Sequence, residues 1–445
     1  SISQLPDLSS LSNLEYLDCN SNRLLEIPES VYNLSKLKKL NFGFNHNIKS
    51  ISDKIHQLQD LESLSLEVND IEFLPPKFSM LQNLLSLNVS GNPIKDHIEI
   101  ITKLPKLTSL NICENRCKEE QISIPNSIKN LKLLRYLDMS DCKLKDIPAC
   151  IGELKNLEYL NLEKNEIETI DPAVGSLSNL VTLNLSSNKN LSAIPQTLGN
   201  LEKLEILNLY DCKSITVISD NLSKLKQLKT IELSNTQIEK IDFVYEMTQL
   251  ENLKLFETKV IELNSKIKQL SNLEVLDIRL TAVTSLPTEI GALHKLKEIQ
   301  FKTFTNSLPD TICNLTELEV LEGRFEGVKK PYPKAFGNLA NLKRLVVTHD
   351  TAPSIPTSFS NLEQLVSLSF RDSEMETIPK AFKDLKNISN LDISDNYIDE
   401  IEPLFLSELN QHCPRNLNLR NNSVTYSASK IKKYKSLLPY AYVSN

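Results

Sequence analysis

Tryptophan is absent from the 445 residues, glycine is limited to 9 and methionine to 4, yet apolar residues make up 40% of the chain. Whatever core forms is therefore built mainly from aliphatic side chains. No apolar run reaches the roughly 18 residues of a membrane-spanning helix, so no integral membrane segment is readable. The chain opens at Ser1 without a basic stretch leading into an apolar one, and so shows no signal peptide. A cleaved signal, a trimmed chain and a cytosolic origin all give that same start. A net charge of −7 lacks the basic field that nucleic-acid binding requires. Phosphate-cradling loops, zinc-ligand sets and Gly-x-Ser-x-Gly elbows are missing, and the six histidines are scattered. No enzymatic activity, cofactor or metal is therefore expected. The eight cysteines lack the paired spacing of a disulfide framework. Cys113 and Cys117 form the one close pair, with no second Cys/His pair to complete a metal site. This usage points to a reducing, cytoplasmic compartment.

What the chain has in abundance is one repeated pattern. Leu157–Asn165, LEYLNLEKN, reads L-x-x-L-x-L-x-x-N, and the leading leucines Leu134, Leu157, Leu180 and Leu204 are 23, 23 and 24 residues apart. Copies begin at Leu14, Leu37, Leu61, Leu84, Leu107, Leu134, Leu157, Leu180, Leu204, Leu228, Leu250, Leu273, Leu296, Leu318, Leu342, Leu365 and Ile388. An eighteenth, irregular copy holds Leu417, Leu419 and Asn422. A period of this size marks a solenoid in which each unit packs on its neighbours. Within LEYLNLEKN the alternation puts Leu160 and Leu162 on one face and Tyr159 and Asn161 on the other. Stacked copies then make a parallel sheet, and Asn165 and its counterparts bond the backbone of successive turns. The second half of each unit, as in Ile147-Pro148-Ala149-Cys150-Ile151-Gly152-Glu153-Leu154, places Pro in the first turn of a short helix. The expected fold is an α/β solenoid: a curved array with a concave parallel β-sheet and short helical turns on the convex side.

The unit resembles the leucine-rich repeat of intracellular Ras-binding scaffolds, related plant intracellular proteins and many bacterial repeat proteins. Residues 1–13 then read as a truncated or degenerate first repeat, 14–424 as about eighteen repeats, and 425–445 as a capping tail. In that tail a helix starting at Ser429 would align Ile431, Tyr434, Leu437 and Leu438. The resemblance implies a non-enzymatic protein-interaction scaffold. The alternative is the ligand-sensing segment of a larger immune-type receptor or secreted bacterial effector. Arg116 to Ser123 lengthens one unit and reads as a tolerated insertion in preference to a contact loop.

Departures from the pattern point to the partner site. From the Leu228 repeat to the Leu365 repeat the ladder position reads Thr236, Thr258, Thr281, Phe304, Glu326, Asp350 and Ser373, without asparagine. On the concave face, Lys254, Phe256, Arg279, Lys302, Arg324, Phe325, His349 and Arg371 gather over the same repeats. Two readings compete. Glu257, Asp277, Glu322 and Asp372 could neutralise the cations internally, or an acidic protein partner could do so. Phe256 and Phe325, read as exposed aromatics beside arginine, favour the partner. Tyr16, Tyr136 and Tyr159 recur at one strand position and read as consensus residues. The oligomeric state is not legible.

Overall fold

The computed structural model describes residues 2–94, 98–115, 123–349, 351–402, 416–423, 428–437 and 442–444. Two compact units divide the chain, Ser1–Ile231 and Glu232–Asn445. Each is a solenoid of short parallel strands that return through tight turns.

The strands hold the third to fifth residues of the motif, as in Tyr159–Asn161. In the first unit they pair in unbroken succession from Tyr16–Asp18 to Ile206–Asn208, with like positions side by side: Leu160 lies opposite Leu137 on one flank and Leu183 on the other. In the second unit the succession runs from Asn252–Lys254 to Tyr442–Ser444. The motif leucines Leu157, Leu160 and Leu162 are fully buried, as are their counterparts in repeat after repeat. Each such side chain contributes on the order of 2 kcal/mol through area removed from water.

Opposite the strands, most repeats carry a five-residue 3-10 turn such as Ala149–Glu153, and a few carry a short piece of α-helix such as Glu29–Tyr32. The proline differs from expectation. Pro148 sits in extended backbone immediately before the turn, and not within it, where its missing N–H costs nothing. The third turn residue, Ile151 or Val174, enters the core. Turns of successive repeats approach closely: a Cβ on Gly152 would lie 2.2 Å from the Ala173 carbonyl oxygen.

Two devices shape the bend after each strand. The fifth motif residue is usually Asp or Asn, and its side-chain oxygen accepts the N–H two residues on, as Asn161 does from Glu163 and Asp138 from Ser140. The eighth residue then adopts the left-handed region, as in Asp141, Lys164, Ser187, Glu257 and Asp395. That conformation is strained for a residue with a Cβ. It is held by a hydrogen bond to the next repeat, for example from the Lys164 N–H to the Ser186 carbonyl at 2.9 Å.

The asparagine ladder forms as expected. Asn188 donates to Leu162 O at 2.9 Å and Leu185 O at 2.7 Å and accepts from Ile167 N at 3.1 Å, so one side chain serves two repeats. Asn165 and Asn396 do the same. Cys142 and Cys212 take this place with thiols that reach the preceding repeat's carbonyl at 3.2 Å, and burial pushes both up to about 12. Thr236, Thr258 and Thr281 donate to a carbonyl of their own repeat. A second, exposed asparagine row precedes the motif, unmarked in the repeat pattern: Asn156 and Asn179 donate to Lys132 O and Lys155 O of the preceding repeats.

The second unit departs from this scheme in the Leu296, Leu318 and Leu342 repeats. Their fifth residues are Gln300, Glu322 and Val346, and their eighth residues are absent from the left-handed set. Without that bend the chain stays extended, and the strands Val320–Phe325 and Arg344–His349 each run six residues. Alternation then carries Phe325 and His349 inward, where the ladder residue stands elsewhere. Glu326, expected on the ladder, is exposed instead, while Phe304 is buried as a packing residue stacked on Phe301 at 3.8 Å. Asp350 lies outside the described residues, as does most of the Arg116–Ser123 stretch.

The tail forms a helix, Ala428–Leu437, and then a strand the sequence reading did not foresee, Tyr442–Ser444, paired with Asn416–Asn418. The side chains proposed to share a helix face lie outside the described residues. Among the described residues no helix is long and apolar enough to cross a membrane.

Candidate protein-interaction face

The strands turn the third, fifth and seventh motif residues outward, so each forms a row across its sheet. In the neighbouring row, of second residues, cations pair within the row: Lys38 with Glu15, Arg135 with Glu158, Lys297 with Glu274 and Lys343 with Glu319, at 2.7 to 2.8 Å. Exposed pairs of this kind are worth about 0–1 kcal/mol each.

The row of seventh residues behaves differently. In the first unit it reads Asn20, Gly43, Glu67, Ser90, Cys113, Ser140, Glu163, Ser186 and Tyr210, with no cation. In the second it reads Ser234, Phe256, Arg279, Lys302, Arg324, Thr348, Arg371, Ser394 and Arg420. Acids to balance these cations must therefore come from other rows.

Some do. Arg279 donates from Nε and Nη2 to Asp277, two residues back on its own strand, at 2.9 and 2.7 Å. This bidentate bond holds the guanidinium still more firmly protonated than usual, and its Cζ lies 5.2 Å from the centre of the half-buried Phe256 ring. Lys254 stands 3.5 Å from Glu232. Arg371 donates to Asp395 at 2.7 Å, on the next repeat. The acceptor is thus Asp395 and not the expected Asp372. Asn421, at 2.6 Å, is the main cause that holds the Asp395 carboxyl below the usual carboxylate range, with Arg371 adding to it. Glu322 is engaged by Arg344, a residue the sequence reading passed over.

Lys302 and Arg324 are left without an acid. They stand on neighbouring repeats, each two residues beyond the paired Gln300 and Glu322, and neither forms an ion pair among the described residues. Lys302 is exposed and Arg324 partly so. Like charges on neighbouring repeats repel, a cost that an added anion relieves.

The structure corrects two members of the expected face. Phe325 and His349 are fully buried, because the longer strands carry them to the inner side. His349 stacks between Phe325 and Phe370, both at 5.4 Å. Its Nε2 meets the Tyr332 hydroxyl at 3.1 Å and its Nδ1 the Ser373 hydroxyl at 3.2 Å. Neither presents a surface to a partner. Lys254, Phe256, Arg279, Lys302, Arg324 and Arg371 remain together on the sheet face, joined by Arg344 and Arg420. Aligning the seventh motif residue across all repeats would have found Arg420. Arg344 is a third residue, marked only by being the one cation of its row in these repeats.

Comparison with known proteins gives this architecture its family. A profile described as a leucine-rich repeat region matches residues 113–242 and 234–347, together more than half of the chain, and one for the single leucine rich repeat matches residues 13–34. The chain belongs to the leucine-rich repeat family. No curated protein matches it in sequence. Among solved structures, a leucine-rich repeat protein of Leptospira interrogans is similar over 100% of this chain and 99% of its own, with 24% identity and a TM-score of 0.68. The leucine-rich repeat ectodomain of the Arabidopsis thaliana receptor kinase GASSHO1/SCHENGEN3, solved with Casparian strip integrity factor 2, is 26% identical at a TM-score of 0.64. There the likeness covers 93% of this chain and 54% of the ectodomain. The Arabidopsis HAESA ectodomain, solved with an IDA peptide hormone ligand, is 23% identical at a TM-score of 0.65 and covers 93% and 71%. The leucine-rich repeat fold is typically a protein-interaction module.

Proposed function

We propose that the protein is a non-enzymatic interaction scaffold whose second-unit sheet face docks an acidic segment of a protein partner. The observation that carries this reading is the seventh-residue row: Lys302 and Arg324 keep free charge where Arg135, Lys297 and Lys343 of the second-residue row are paired. Phe256 beneath Arg279 adds an aromatic anchor, and Val346 and Thr348 add an uncharged stretch beside the cations. The two receptor ectodomains were solved with peptide or protein ligands, which supports a peptide-like partner for a related surface. Among the described residues six cysteines are free, five of them buried, which supports the reading that the scaffold works in a reducing compartment such as the cytoplasm. The second reading, a sensing segment of a larger receptor, draws on the same ectodomain likeness.

The test is fluorescence anisotropy with a short glutamate-rich peptide. The expected result is salt-sensitive binding that Lys302→Glu with Arg324→Glu weakens at least about ten-fold, with thermal unfolding unchanged. Equal affinity of the wild-type and reversed proteins overturns the proposal.

A further inference from the structure

The first unit carries a face of the opposite character. Tyr136 and Tyr159 occupy the third motif residue on adjacent strands, in direct register. Their rings stack at 4.5 Å and 4°. Both are half-buried, so the pair stands as a wall with its edges in solvent. The lateral partners beyond it are Ser109 on one side and Thr182 on the other, both too short to cover a ring face.

The ground beneath the rings is negative. Asp138 is buried and accepts from Ser140 N at 2.9 Å, Ser140 Oγ at 2.7 Å, Asn161 Nδ2 at 3.1 Å and the Tyr136 hydroxyl at 3.4 Å. Those donors are dipoles, so its charge is held without being cancelled. Glu163 is partly exposed two residues past Asn161 and takes a bond from Asn184 Nδ2 at 3.3 Å. Among the described residues neither carboxylate pairs with a cation. From the Leu107 repeat to the Leu204 repeat, the third, fifth and seventh residues include no Lys or Arg at all. Arg135, next to Tyr136, is bound in bidentate fashion by Glu158 at 2.7 and 2.9 Å, and Lys164, next to Glu163, is exposed and forms no ion pair with it.

An exposed aromatic wall over uncancelled negative charge is complementary to a cation with a flat or apolar body. Arginine meets both demands: its guanidinium lies on a tyrosine face while its charge faces the carboxylates. We infer that the sheet face around Tyr136 and Tyr159 is a second docking surface, which takes an arginine-bearing segment of a protein partner. This surface is independent of the cationic face of the second unit and opposite to it in charge preference.

The experiment is calorimetric titration of the full chain with a short Arg-Gly repeat peptide, with the Lys-Gly and Glu-Gly peptides alongside. Because tryptophan is absent, tyrosine emission gives a second readout from the same samples. The Arg-Gly peptide is expected to bind, Lys-Gly several-fold more weakly and Glu-Gly not at all at this face. Tyr136→Leu with Tyr159→Leu should weaken Arg-Gly binding about ten-fold, and Glu163→Gln a few-fold without disturbing the fold. Tyr136→Phe, which keeps the ring, should retain binding. Lys302→Glu with Arg324→Glu should leave Arg-Gly binding at the wild-type level, which separates this surface from the one proposed above. Unchanged affinity in the Tyr→Leu and Glu163→Gln proteins, or equal binding of the glutamate peptide that the Tyr→Leu pair weakens alike, overturns the inference.

Discussion

The ring of Phe301 fills the space that a side chain on Gly323 would need: a Cβ there would lie 2.4 Å from the ring. The ring cannot easily withdraw, since it is stacked on Phe304 at 3.8 Å and meets Phe325 edge-on at 5.4 Å. Gly323 falls where other repeats carry a larger apolar sixth residue, such as Leu162, Ile278 or Phe370, so its missing side chain makes room for an aromatic cluster. Gly323→Ala should therefore destabilise the second unit by about 1–3 kcal/mol, as overpacking does. Urea unfolding checks this, and a smaller ring-site residue, Phe301→Leu, should reduce the penalty when combined with it. Additive effects would show that the two positions are not coupled.

His349 tests what replaces the asparagine ladder. Its ring nitrogens join Tyr332, ahead of it in the chain, to Ser373 of the next repeat. His349→Phe preserves an aromatic ring between Phe325 and Phe370 but orphans the Tyr332 hydroxyl, which is buried and whose ionisation burial already pushes well up. A loss of about 1–3 kcal/mol is expected. Adding Tyr332→Phe should recover most of it, because the orphaned group is then gone. A double-mutant cycle by chemical denaturation measures the coupling, and a cycle without coupling would contradict the hydrogen bond.

Asn188 gives the corresponding measure for a regular repeat. Asn188→Ala removes donors to two buried carbonyls and the acceptor for Ile167 N, and should cost about 2–4 kcal/mol. Asn188→Thr should cost less. Threonine can still donate to its own repeat's carbonyl, as Thr258 does to Leu255 O at 2.8 Å. If Thr proves no better than Ala, the within-repeat bond contributes little and the link between repeats carries the effect.

These sites mark the border of what was legible in the residues. The period of the leucines announces the repeat, and from it follow the parallel register, the buried faces and the asparagine ladder, because each depends only on spacing. Phe325 and His349 were misjudged because a fixed ruler assumes a left-handed bend at the eighth residue. The fifth residue alone does not mark the missing bend: Gln300, Glu322 and Val346 precede extended chain, yet Glu232, Lys254 and Ser369 precede the left-handed Asn235, Glu257 and Asp372. Once the strand runs on, alternation reverses which side chains face inward. Charge pairing was legible only in part. Asp277 stands among the acids expected to neutralise the cations and does so for Arg279, but the choice of Asp395 for Arg371, and of Arg344 for Glu322, rests on side-chain reach between repeats. Spacing does not encode that reach.

That choice makes the second unit acid-sensitive at a defined place. The Asp395 carboxylate accepts from Asn421 and from Arg371, and together these hold its proton affinity below the usual carboxylate range. A group depressed in the folded state stabilises it fully above its unfolded value, about pH 4. It loses that contribution as pH falls through the folded value, because the folded form must then take up a proton it binds weakly. Asp395→Asn keeps a residue that tolerates the left-handed backbone at φ 57 but removes the charge. The difference in urea midpoint between wild type and variant should be constant from pH 7 to about pH 5 and shrink below about pH 4. Added salt should reduce the part owed to the exposed Arg371 and spare the part owed to Asn421. A difference that stays constant down to pH 3 would mean that the carboxylate titrates alike in the folded and unfolded chains, and that the Arg371 pair leaves no mark on stability.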